Sequence, residues 1–325
     1  MVRLGKTEIE IGKVGLGCMG FSHAYGKPMD KEEAIRRIRK SYDMGYRFFD
    51  TAQRYTGVFE DGSIAYNEDL VGEALKDVRD DVVIATKCGI TMVDGVRTLD
   101  ASRETIRRTL KESLGRLQTD YIDLFYLHSI DPNTPIEDVA STMKELYEEG
   151  LIKTWGISQV NEDTLRRAHK VFPVSAIQNR YSMMAREEEK IFDCCKGLGV
   201  TFVAFSPMAN GFLTGNYHGE KLEDDKSDFR LLMPQYTKDG YEANKEFLAY
   251  VEKLAKDYNA CMAQISLAWM INKGIVPIPG STKLERLEEN FNSSKIDLSD
   301  EEVKAIDEAL DKLKMGPVYL GLRKS

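Results

Sequence analysis

The amino-acid sequence predicts an α/β fold, namely a single (β/α)8 barrel of the TIM type that takes up residues 1–325. Short segments rich in β-branched and aromatic residues alternate with longer amphipathic segments from end to end, and eight such strand–helix pairs can be counted. This alternation implies a parallel sheet covered by helices. The middle of the chain has no linker rich in Pro, Gly or Ser, so eight units favour a closed barrel over a two-domain, doubly wound sheet.

The first four units follow from hydrophobic spacing and from residues that suit helix ends. Ala34, Ile35 and Ile38 recur at helical spacing. Ser102 is a suitable helix N-cap, and Gly150 suits the position that follows a helix C-terminus. We expect strands at 14–17, 46–50, 82–86 and 122–127, and helices at 31–44, 67–76, 102–117 and 136–149.

The last four units repeat this pattern. Asn161 is a suitable N-cap, and residues 200–205 form a nearly continuous apolar run, as expected for a strand that is covered on both faces. We expect strands at 152–157, 176–178, 200–205 and 275–278, and helices at 161–169, 187–196, 241–258 and 284–292.

Both ends of the chain lie outside the eight units. The first residues alternate at period two about Gly5 and predict a hairpin over one end of the barrel. Near the C-terminus, Ser299 followed by Glu302 is a capping pattern that predicts a further helix over 299–313. The chain therefore divides into a hairpin (1–12), a barrel (13–292) and a C-terminal helix and tail (293–325).

One connection, residues 207–240, is much longer than the others. It mixes acidic residues with Gly211, Gly215 and Gly219. Long loops after barrel strands lie at the catalytic face, so this segment is either a lid or cofactor clamp or a mobile surface excursion.

Composition and charge exclude several classes of protein. The 45 Lys and Arg residues are outnumbered by 53 Asp and Glu, which gives a net charge of −8. No basic excess is therefore available to neutralise nucleic-acid phosphates. No apolar run approaches a membrane span, and the N-terminus lacks the apolar segment of a signal peptide. The five cysteines are odd in number and lack CxxC spacing, so we expect a cytoplasmic protein with reduced thiols and no metal site.

One glycine motif suggests a different fold. Residues 15–20 read Gly-x-Gly-x-x-Gly, which is the fingerprint of a dinucleotide-binding Rossmann unit. That fingerprint opens directly into a helix and is followed about 20 residues later by an acid at a strand end. Neither feature is present in this sequence. We interpret the glycines as a tight turn at the mouth of the barrel.

Polar side chains end three successive predicted strands. Asp50, Lys87 and His128 close the second, third and fourth strands, and Tyr55 follows five residues after Asp50. Barrel enzymes keep their catalytic groups at this end, where a buried Asp and a buried Lys need to pair. The ammonium is expected to lower the pKa of the phenol, which makes Tyr55 a usable general acid, and His128 can hold a substrate oxygen. The four residues suit protonation of a carbonyl oxygen as a hydride reaches the carbon.

Each of these residues also has a simpler interpretation. An Asp after a strand often caps a turn, a loop Tyr often packs locally, and His128 could be a core histidine with satisfied hydrogen bonds. The joint arrangement at three successive strand ends is what favours an active site.

The segments that carry these residues resemble the aldo-keto reductase family. The resemblance runs from about Leu4 to Asn292, in the order expected for the family, and the motifs are specific as a set. The segments are 45–55, 84–87, 123–132, 156–158, 205–207 and 277–283.

The resemblance implies an enzyme, an NADP-dependent oxidoreductase that reduces aldehydes or ketones with NADPH extended over the barrel mouth. The catalytic tetrad of the family corresponds to Asp50, Tyr55, Lys87 and His128. By this correspondence Tyr55 is the proton donor, Lys87 paired with Asp50 lowers its pKa, and His128 orients the carbonyl.

The resemblance also implies contacts with the nicotinamide half of the cofactor. Ser158 and Gln178 match the positions that hold the carboxamide, and Tyr181 matches an aromatic residue near the ring. This chain has Gln159 where the family usually has Asn, and its longer side chain can still hydrogen-bond an amide. The remaining contacts are expected at Gly17, Cys18, Met19, Phe205, Ser206, Pro207, Met208 and Gly211.

An anion site is expected after the last predicted strand. Hydroxyls, backbone N–H groups and two cations converge there on a helix N-terminus. They belong to Gly280, Ser281, Thr282, Lys283 and Arg286. A capped, solvated helix is the simpler interpretation. In the family this motif binds the 2′-phosphate of NADP, with Glu289 and Asn290 at the adenine, and the two cations favour NADP over NAD.

Two other functions are compatible with the sequence. Some barrels of this family are cofactor-sensing subunits of ion channels with slow chemistry. A lyase or isomerase barrel would instead use the Lys87 amine for a Schiff base, but that reaction gives Tyr55 and the anion site no shared role. The expected partner is a small-molecule aldehyde or ketone, and the sequence predicts no oligomeric state.

Overall fold

Eight parallel strands form one curled sheet in the computed structural model, which describes residues 1–93, 95–222, 225 and 227–319. The strands are β1 (Val2–Arg3), β2 (Glu10–Ile11), β3 (Leu16–Gly17), β4 (Phe48–Asp50), β5 (Thr56–Val58), β6 (Ile64–Tyr66), β7 (Val83–Cys88), β8 (Ile90–Val93), β9 (Val96–Leu99), β10 (Ile122–Leu127), β11 (Ile152–Ser158), β12 (Ala176–Arg180), β13 (Thr201–Phe205) and β14 (Val276–Pro277). The order β14-β13-β12-β11-β10-β7-β4-β3, with every neighbouring pair parallel, confirms the predicted (β/α)8 fold.

Helices connect the strands, and several of them begin or end at the residues that the sequence predicts as caps. They are α1 (Lys31–Met44), α2 (Asn67–Leu75), α3 (Arg103–Leu117), α4 (Ile136–Glu148), α5 (Glu162–Val171), α6 (Phe192–Leu198), α7 (Lys238–Ala243), α8 (Lys245–Asp257), α9 (Met262–Asn272), α10 (Leu284–Asn292) and α11 (Asp300–Lys312). The side chains of Ser102 and Asn161 accept hydrogen bonds from backbone N–H groups three residues later, at 3.3 and 2.9 Å. Ser299 and Glu302 form a reciprocal capping box. Gly150 has a φ of +77°, which glycine adopts readily.

The sheet separates two apolar layers, because alternate residues of each strand point inward and outward. The inward layer contains Phe48, Val83, Ala85, Leu124, Tyr126, Ala176, Val203, Val276 and Ile278. Leu4 and Ile11 of the predicted β1–β2 hairpin join this layer. The Gly5 N–H also donates to Thr201 Oγ1 at the start of β13 (2.8 Å). The hairpin therefore closes the N-terminal end of the barrel.

The first and last strands of the sheet, β3 and β14, meet along a short seam. The Gly15 N–H donates to the Pro277 carbonyl (3.0 Å), and the Gly17 N–H donates to the Pro279 carbonyl (3.2 Å). The two prolines have no N–H to donate in return. A Cβ atom at Gly15 would lie 2.5 Å from the Phe48 ring, so this close approach requires glycine.

Several elements differ from the sequence-based expectation. Helix α9 is almost wholly buried and apolar on all sides, so it lacks the amphipathic spacing that reveals a helix. Two antiparallel hairpins, β5–β6 and β8–β9, follow the C-terminal ends of β4 and β7 and were not predicted. The helix predicted at 241–258 is two helices, α7 and α8, which meet at Asn244. The buried Asn244 amide donates to the Gly240 carbonyl (2.7 Å).

The long connection after β13 packs on the barrel. Phe212, Tyr217 and Tyr236 are buried together, with ring centroids 4.9–6.0 Å apart. The Tyr25 ring, in the loop before α1, meets the Phe229 ring edge-on at 5.2 Å. These contacts disfavour a mobile surface excursion, and the lid or clamp stays a prediction. Residues 223, 224 and 226 of this connection and 320–325 of the predicted tail lie outside the described residues. Within the described ranges, no helix is long and apolar enough to cross a membrane.

Candidate active site

The C-terminal ends of neighbouring parallel strands carry the predicted catalytic residues. Asp50 ends β4, Lys87 is the penultimate residue of β7, and His128 directly follows β10. In the register of the sheet, Asp50 pairs with Ala85 and Lys87 pairs with Tyr126. The three side chains therefore lie at the same end of the barrel, on three adjacent strands.

Lys87 is the centre of a buried hydrogen-bond network. Its Nζ donates to Asp50 Oδ1 (2.5 Å) and to the Thr51 carbonyl (2.8 Å), and it lies 3.3 Å from Tyr55 Oη. The side chains of Lys87 and Asp50 are 0% and 2% exposed. Burial acts to lower the pKa of Lys87, but the interactions with Asp50 and Tyr55 outweigh it and raise the pKa overall. The amine is therefore a charged ammonium at neutral pH.

Asp50 uses both carboxylate oxygens. Oδ2 accepts a hydrogen bond from Gln178 Nε2 (2.7 Å). The Ser158 hydroxyl donates to the backbone carbonyl of Gln178 (2.9 Å). Burial raises the pKa of Asp50, while Lys87 and Gln178 oppose this shift. The two residues predicted to hold a carboxamide thus lie beside the Asp50–Lys87 pair, and Gln178 also orients it.

The pKa of the Tyr55 phenol is shifted upward. Burial raises the pKa of Tyr55 above its ordinary value, and the nearby Lys87 ammonium opposes but does not cancel the increase. The prediction that Lys87 brings this pKa below its ordinary value is therefore wrong for the net shift, because the cost of burying a phenolate exceeds the attraction of the cation. At neutral pH the hydroxyl retains its proton.

His128 is held in the neutral form. Burial lowers the pKa of His128 well below its ordinary value, and the positive charges of Lys87, Arg97 and Arg54 lower it further. Its ring meets the Tyr55 ring edge-on, with 5.8 Å between centroids. A neutral imidazole has one N–H donor, so His128 can donate a hydrogen bond to an oxygen bound at Tyr55.

Asn67 positions the loop that carries Tyr55 and was not among the predicted site residues. It is buried at the start of α2, where its Nδ2 donates to the Cys18 carbonyl (2.9 Å) and to Ser22 Oγ (2.8 Å). Its Oδ1 accepts from Thr51 Oγ1 (2.6 Å), and its backbone N–H donates to the Tyr55 carbonyl (3.0 Å). A single Asn before an apolar helix gives no sequence signal beyond a helix start.

Tyr181 lies away from the mouth, which corrects its assignment to the cofactor ring. Like Ile177 four residues earlier, it points toward the outer helices, because alternate residues of a strand face opposite sides. Its fully buried ring stacks on Trp269 at 5.3 Å, and its hydroxyl donates to Glu189 (2.6 Å). Phe205, at the end of β13, is a partly exposed aromatic residue that packs on the inward layer.

The other predicted mouth residues lie on loops that follow the strands. Gln159 is exposed after β11, and its Nε2 donates to Ser129 Oγ (3.0 Å) and to the His128 carbonyl (3.2 Å). Ser206 has a left-handed φ of +51°. Gly17 ends β3, and the loops after β3 and β13 contain Cys18, Met19, Ser206, Pro207, Met208 and Gly211.

The predicted anion site forms the N-terminus of α10. Lys283 is exposed and Arg286 is partly exposed, and neither lies within 4.0 Å of a carboxylate in the described part of the chain. The Lys283 N–H donates to Ser281 Oγ (3.1 Å), and the Thr282 carbonyl accepts from the Arg37 guanidinium. Two cations without acidic partners are thus placed next to a helix N-terminus and the Gly280 loop.

A buried donor without a partner lies on the same helix. Asn290 is 1% exposed, and its Nδ2 has no hydrogen-bond partner among the described residues, whereas Glu289 is exposed. A buried amide N–H is costly unless a ligand supplies an acceptor. The donor and the cations fit a ligand that combines an anionic group with a polar ring.

Comparisons with known proteins agree on one family. The family model described as "Aldo/keto reductase family" matches residues 13–311. The protein named "Probable aldo-keto reductase 1" of Glycine max is 37% identical over 314 residues, which cover 95% of this chain and 88% of that protein. The aldo-keto reductase yakc (NADP+) of Schizosaccharomyces pombe is 36% identical over 310 residues, which cover 92% of this chain and 88% of that protein.

Solved structures lead to the same family. The glycerol dehydrogenase of Gluconobacter oxydans superposes with a TM-score of 0.84 at 25% identity and covers 98% of both chains. The thermostable aldo-keto reductase Tm1743, solved with the inhibitor epalrestat, has a TM-score of 0.72 at 30% identity and covers 95% of this chain and 98% of its own. No metal site is found at this end of the barrel or elsewhere in the part of the chain that the structure describes. No group of three or more His, Cys, Asp or Glu there could hold a metal ion.

Proposed function

Because the chain belongs to the aldo/keto reductase family, whose members are NADP-dependent oxidoreductases, we propose that it reduces an aldehyde or ketone to the alcohol. The observation that carries this proposal is the protonated Tyr55 hydroxyl, 3.3 Å from the buried ammonium of Lys87. NADPH, when bound, supplies the hydride for the carbonyl carbon. The residues of the chain supply the proton, orient the carbonyl and hold the cofactor.

Tyr55 is the proton donor in this mechanism. As negative charge develops on the carbonyl oxygen, the Oη–H bond breaks and a phenolate forms 3.3 Å from Lys87 Nζ. The ammonium stabilises that phenolate, and water exclusion strengthens the interaction. Asp50 keeps Lys87 charged and in position through the 2.5 Å contact.

His128 orients the carbonyl. Its neutral imidazole donates one N–H to the substrate oxygen, beside the Tyr55 ring. Because the pKa of His128 is lowered well below its ordinary value, the imidazole does not compete with Tyr55 as an acid near neutral pH.

The residues of the anion site fit the adenosine half of NADPH. Lys283 and Arg286 would hold the 2′-phosphate together with backbone N–H groups at the start of α10. Asn290 Nδ2, which is buried and unpartnered among the described residues, would donate to the adenine. Phe205 offers a partly exposed ring face to the nicotinamide, in the role first assigned to Tyr181.

Replacing Arg286 by alanine is expected to weaken NADPH binding far more than NADH binding. A charge-assisted hydrogen bond contributes about 1.5–3 kcal/mol, so the Kd of NADPH should rise about 10- to 150-fold. NADH lacks the 2′-phosphate and should be nearly unaffected. Fluorescence titration measures both constants, with Arg166→Ala, an exposed arginine of α5, as the matched control. Equal losses for the two cofactors would place the phosphate elsewhere.

The pH profile of kcat/KM for reduction is expected to be flat from about pH 6 to 9. The pKa of His128 is lowered well below 6.5, so the imidazole stays neutral as pH falls through that value. The pKa of Tyr55 is raised above 10.0, so the phenol stays protonated as pH rises toward that value. Initial rates with a neutral aldehyde at constant ionic strength test this profile. An inflection near pH 6.5 would show that His128 titrates normally.

NADPH oxidation with 4-nitrobenzaldehyde tests the proposed reaction. The Schiff-base alternative is disfavoured because only a neutral amine attacks a carbonyl, whereas the pKa of Lys87 is raised. Covalent labelling of Lys87 by borohydride and aldehyde would overturn the reductase proposal. Tight NADPH binding without turnover of any aldehyde would favour the cofactor-sensing module.

A further inference from the structure

A cavity of about 400 Å³ lies between the two hairpins that follow β4 and β7, and we refer to it as the hairpin cavity. The β5–β6 hairpin, the β8–β9 hairpin and α3 form its walls. Its lining includes Arg54, Thr56, Tyr66, Ile90, Met92 and Arg108. None of the residues predicted to contact the cofactor lines this cavity, so the cavity lies outside the cofactor-binding region described above.

The charged lining of the hairpin cavity has a local surplus of positive charge. Among the described residues it consists of three arginines and one glutamate, Glu112. Glu112 is 3.4 Å from Arg116, which also pairs with Glu68 at 3.2 Å, so the one acid among the described lining residues already has a cation. Arg54 and Arg108 have no carboxylate within 4.0 Å in the described ranges. This surplus is notable in a protein whose net charge is −8.

Arg54 lines the hairpin cavity, whereas no residue of the tetrad does, and it is a chain neighbour of the tetrad. It directly precedes Tyr55 in the chain, and its charge contributes to the low pKa of His128. Its one hydrogen bond among the described residues is from Nη1 to Thr56 Oγ1, at 3.3 Å. Its Nε is buried and has no hydrogen-bond partner in that part of the chain. A guanidinium N–H in this state is costly unless a ligand supplies an acceptor.

The guanidinium and the apolar side chains of the hairpin cavity indicate the chemical class of its ligand. A guanidinium presents a planar fork of N–H donors that matches the oxygens of a carboxylate or a phosphate. Ile90 and Met92 provide apolar wall beside it. A ligand that reaches both Tyr55 and Arg54 therefore has a carbonyl at one end, an apolar middle and an anionic group at the other.

We propose that the carbonyl substrate carries an anionic group, a carboxylate or a phosphate, which Arg54 binds in the hairpin cavity while the carbonyl lies at Tyr55 and His128. This inference rests on the proposed reductase function and adds a substrate class to it. Arg108, on the α3 side of the cavity, adds a second cation at longer range. Arg54 is thus the residue that determines specificity.

The test compares aldehydes that differ in charge but little in shape. 2- and 4-Carboxybenzaldehyde are anionic, and 2- and 4-nitrobenzaldehyde carry a neutral planar group of similar size. For whichever isomer, 2- or 4-, the wild type reduces better, we divide kcat/KM for the carboxy compound by kcat/KM for the nitro compound. This ratio is expected to fall about tenfold or more in Arg54→Gln, mainly because KM for the carboxy compound rises. Lys111→Gln, an exposed cation of α3 outside the cavity lining, should leave this ratio unchanged.

The outcomes separate this inference from the proposed function. If the wild type reduces none of the four aldehydes with NADPH, the reductase proposal fails. If it reduces them but Arg54→Gln leaves the ratio unchanged, the reductase proposal stands and the anion inference is overturned. A larger loss for 4-formylphenyl phosphate than for 4-carboxybenzaldehyde assigns the group as phosphate, and the reverse assigns it as carboxylate. Should Arg54→Gln not fold, Arg108→Gln tests the same ratio and is expected to lower it by a smaller factor.

Discussion

Replacing Tyr55 by phenylalanine is expected to lower kcat for aldehyde reduction by about 10²- to 10⁴-fold, the range that a general acid contributes. The substitution removes the hydroxyl that lies 3.3 Å from Lys87 Nζ and keeps the ring that meets His128. No predicted cofactor contact involves this hydroxyl, so the Kd of NADPH should remain that of the wild type. Steady-state rates and a fluorescence titration measure the two effects.

A matched control for this substitution is Tyr147→Phe, which removes the same atom from an exposed side chain of α4. It should retain wild-type kcat. Residual activity of Tyr55→Phe close to that of the control would mean that another group, or a bound water, donates the proton.

Replacing Lys87 by methionine is expected to abolish measurable reduction and to lower the free energy of unfolding by about 3–5 kcal/mol. Methionine has a similar length but no charge, so the Asp50 carboxylate, 2% exposed, loses its cation and keeps only the hydrogen bond from Gln178. The phenolate that would form at Tyr55 also loses its stabilising ammonium. Urea unfolding measures the first effect, and kcat with 4-nitrobenzaldehyde measures the second.

The double variant Asp50→Asn, Lys87→Met separates the two roles of this pair. It removes both charges, so no uncompensated buried charge is left, and much of the lost stability should return. Activity should not return, because Tyr55 still lacks the ammonium. A double variant that regains turnover would show that the pair matters for folding alone.

The sequence predicts the helices and strands that show a clear hydrophobic spacing and recognisable end residues. The expected ranges 31–44, 122–127 and 284–292 coincide with α1, β10 and α10. Helix α9 was missed because a helix buried on all sides has no polar face to set the spacing. The helix expected over 241–258 was too long because the break depends on a buried side-chain contact of Asn244, which no spacing reveals.

In the candidate site, too, features that follow from local sequence patterns could be predicted, and features that depend on tertiary contacts could not. Asp50, Lys87 and His128 could be predicted to lie together because parallel strands bring their C-terminal ends to one edge. Tyr181 was misassigned because the assignment rested on the resemblance alone, whereas the alternation along β12 turns its side chain toward the outer helices. The raised pKa of Tyr55 depends on how deeply the phenol is buried, which is a property of the assembled barrel.

The seam between β3 and β14 is a line along the barrel wall that few hydrogen bonds hold together. Two hydrogen bonds donated by Gly15 and Gly17 close it, whereas five residue pairs align between β10 and β11. Local opening of a fold follows the boundary with the fewest interactions to break, so amide exchange at these two glycines reports on the opening of the whole cylinder. Cys18 continues the chain from one side of this line and Gly280 from the other. A dinucleotide bound as proposed, in contact with both loops, would span the line, and its binding would therefore stabilise the closed cylinder.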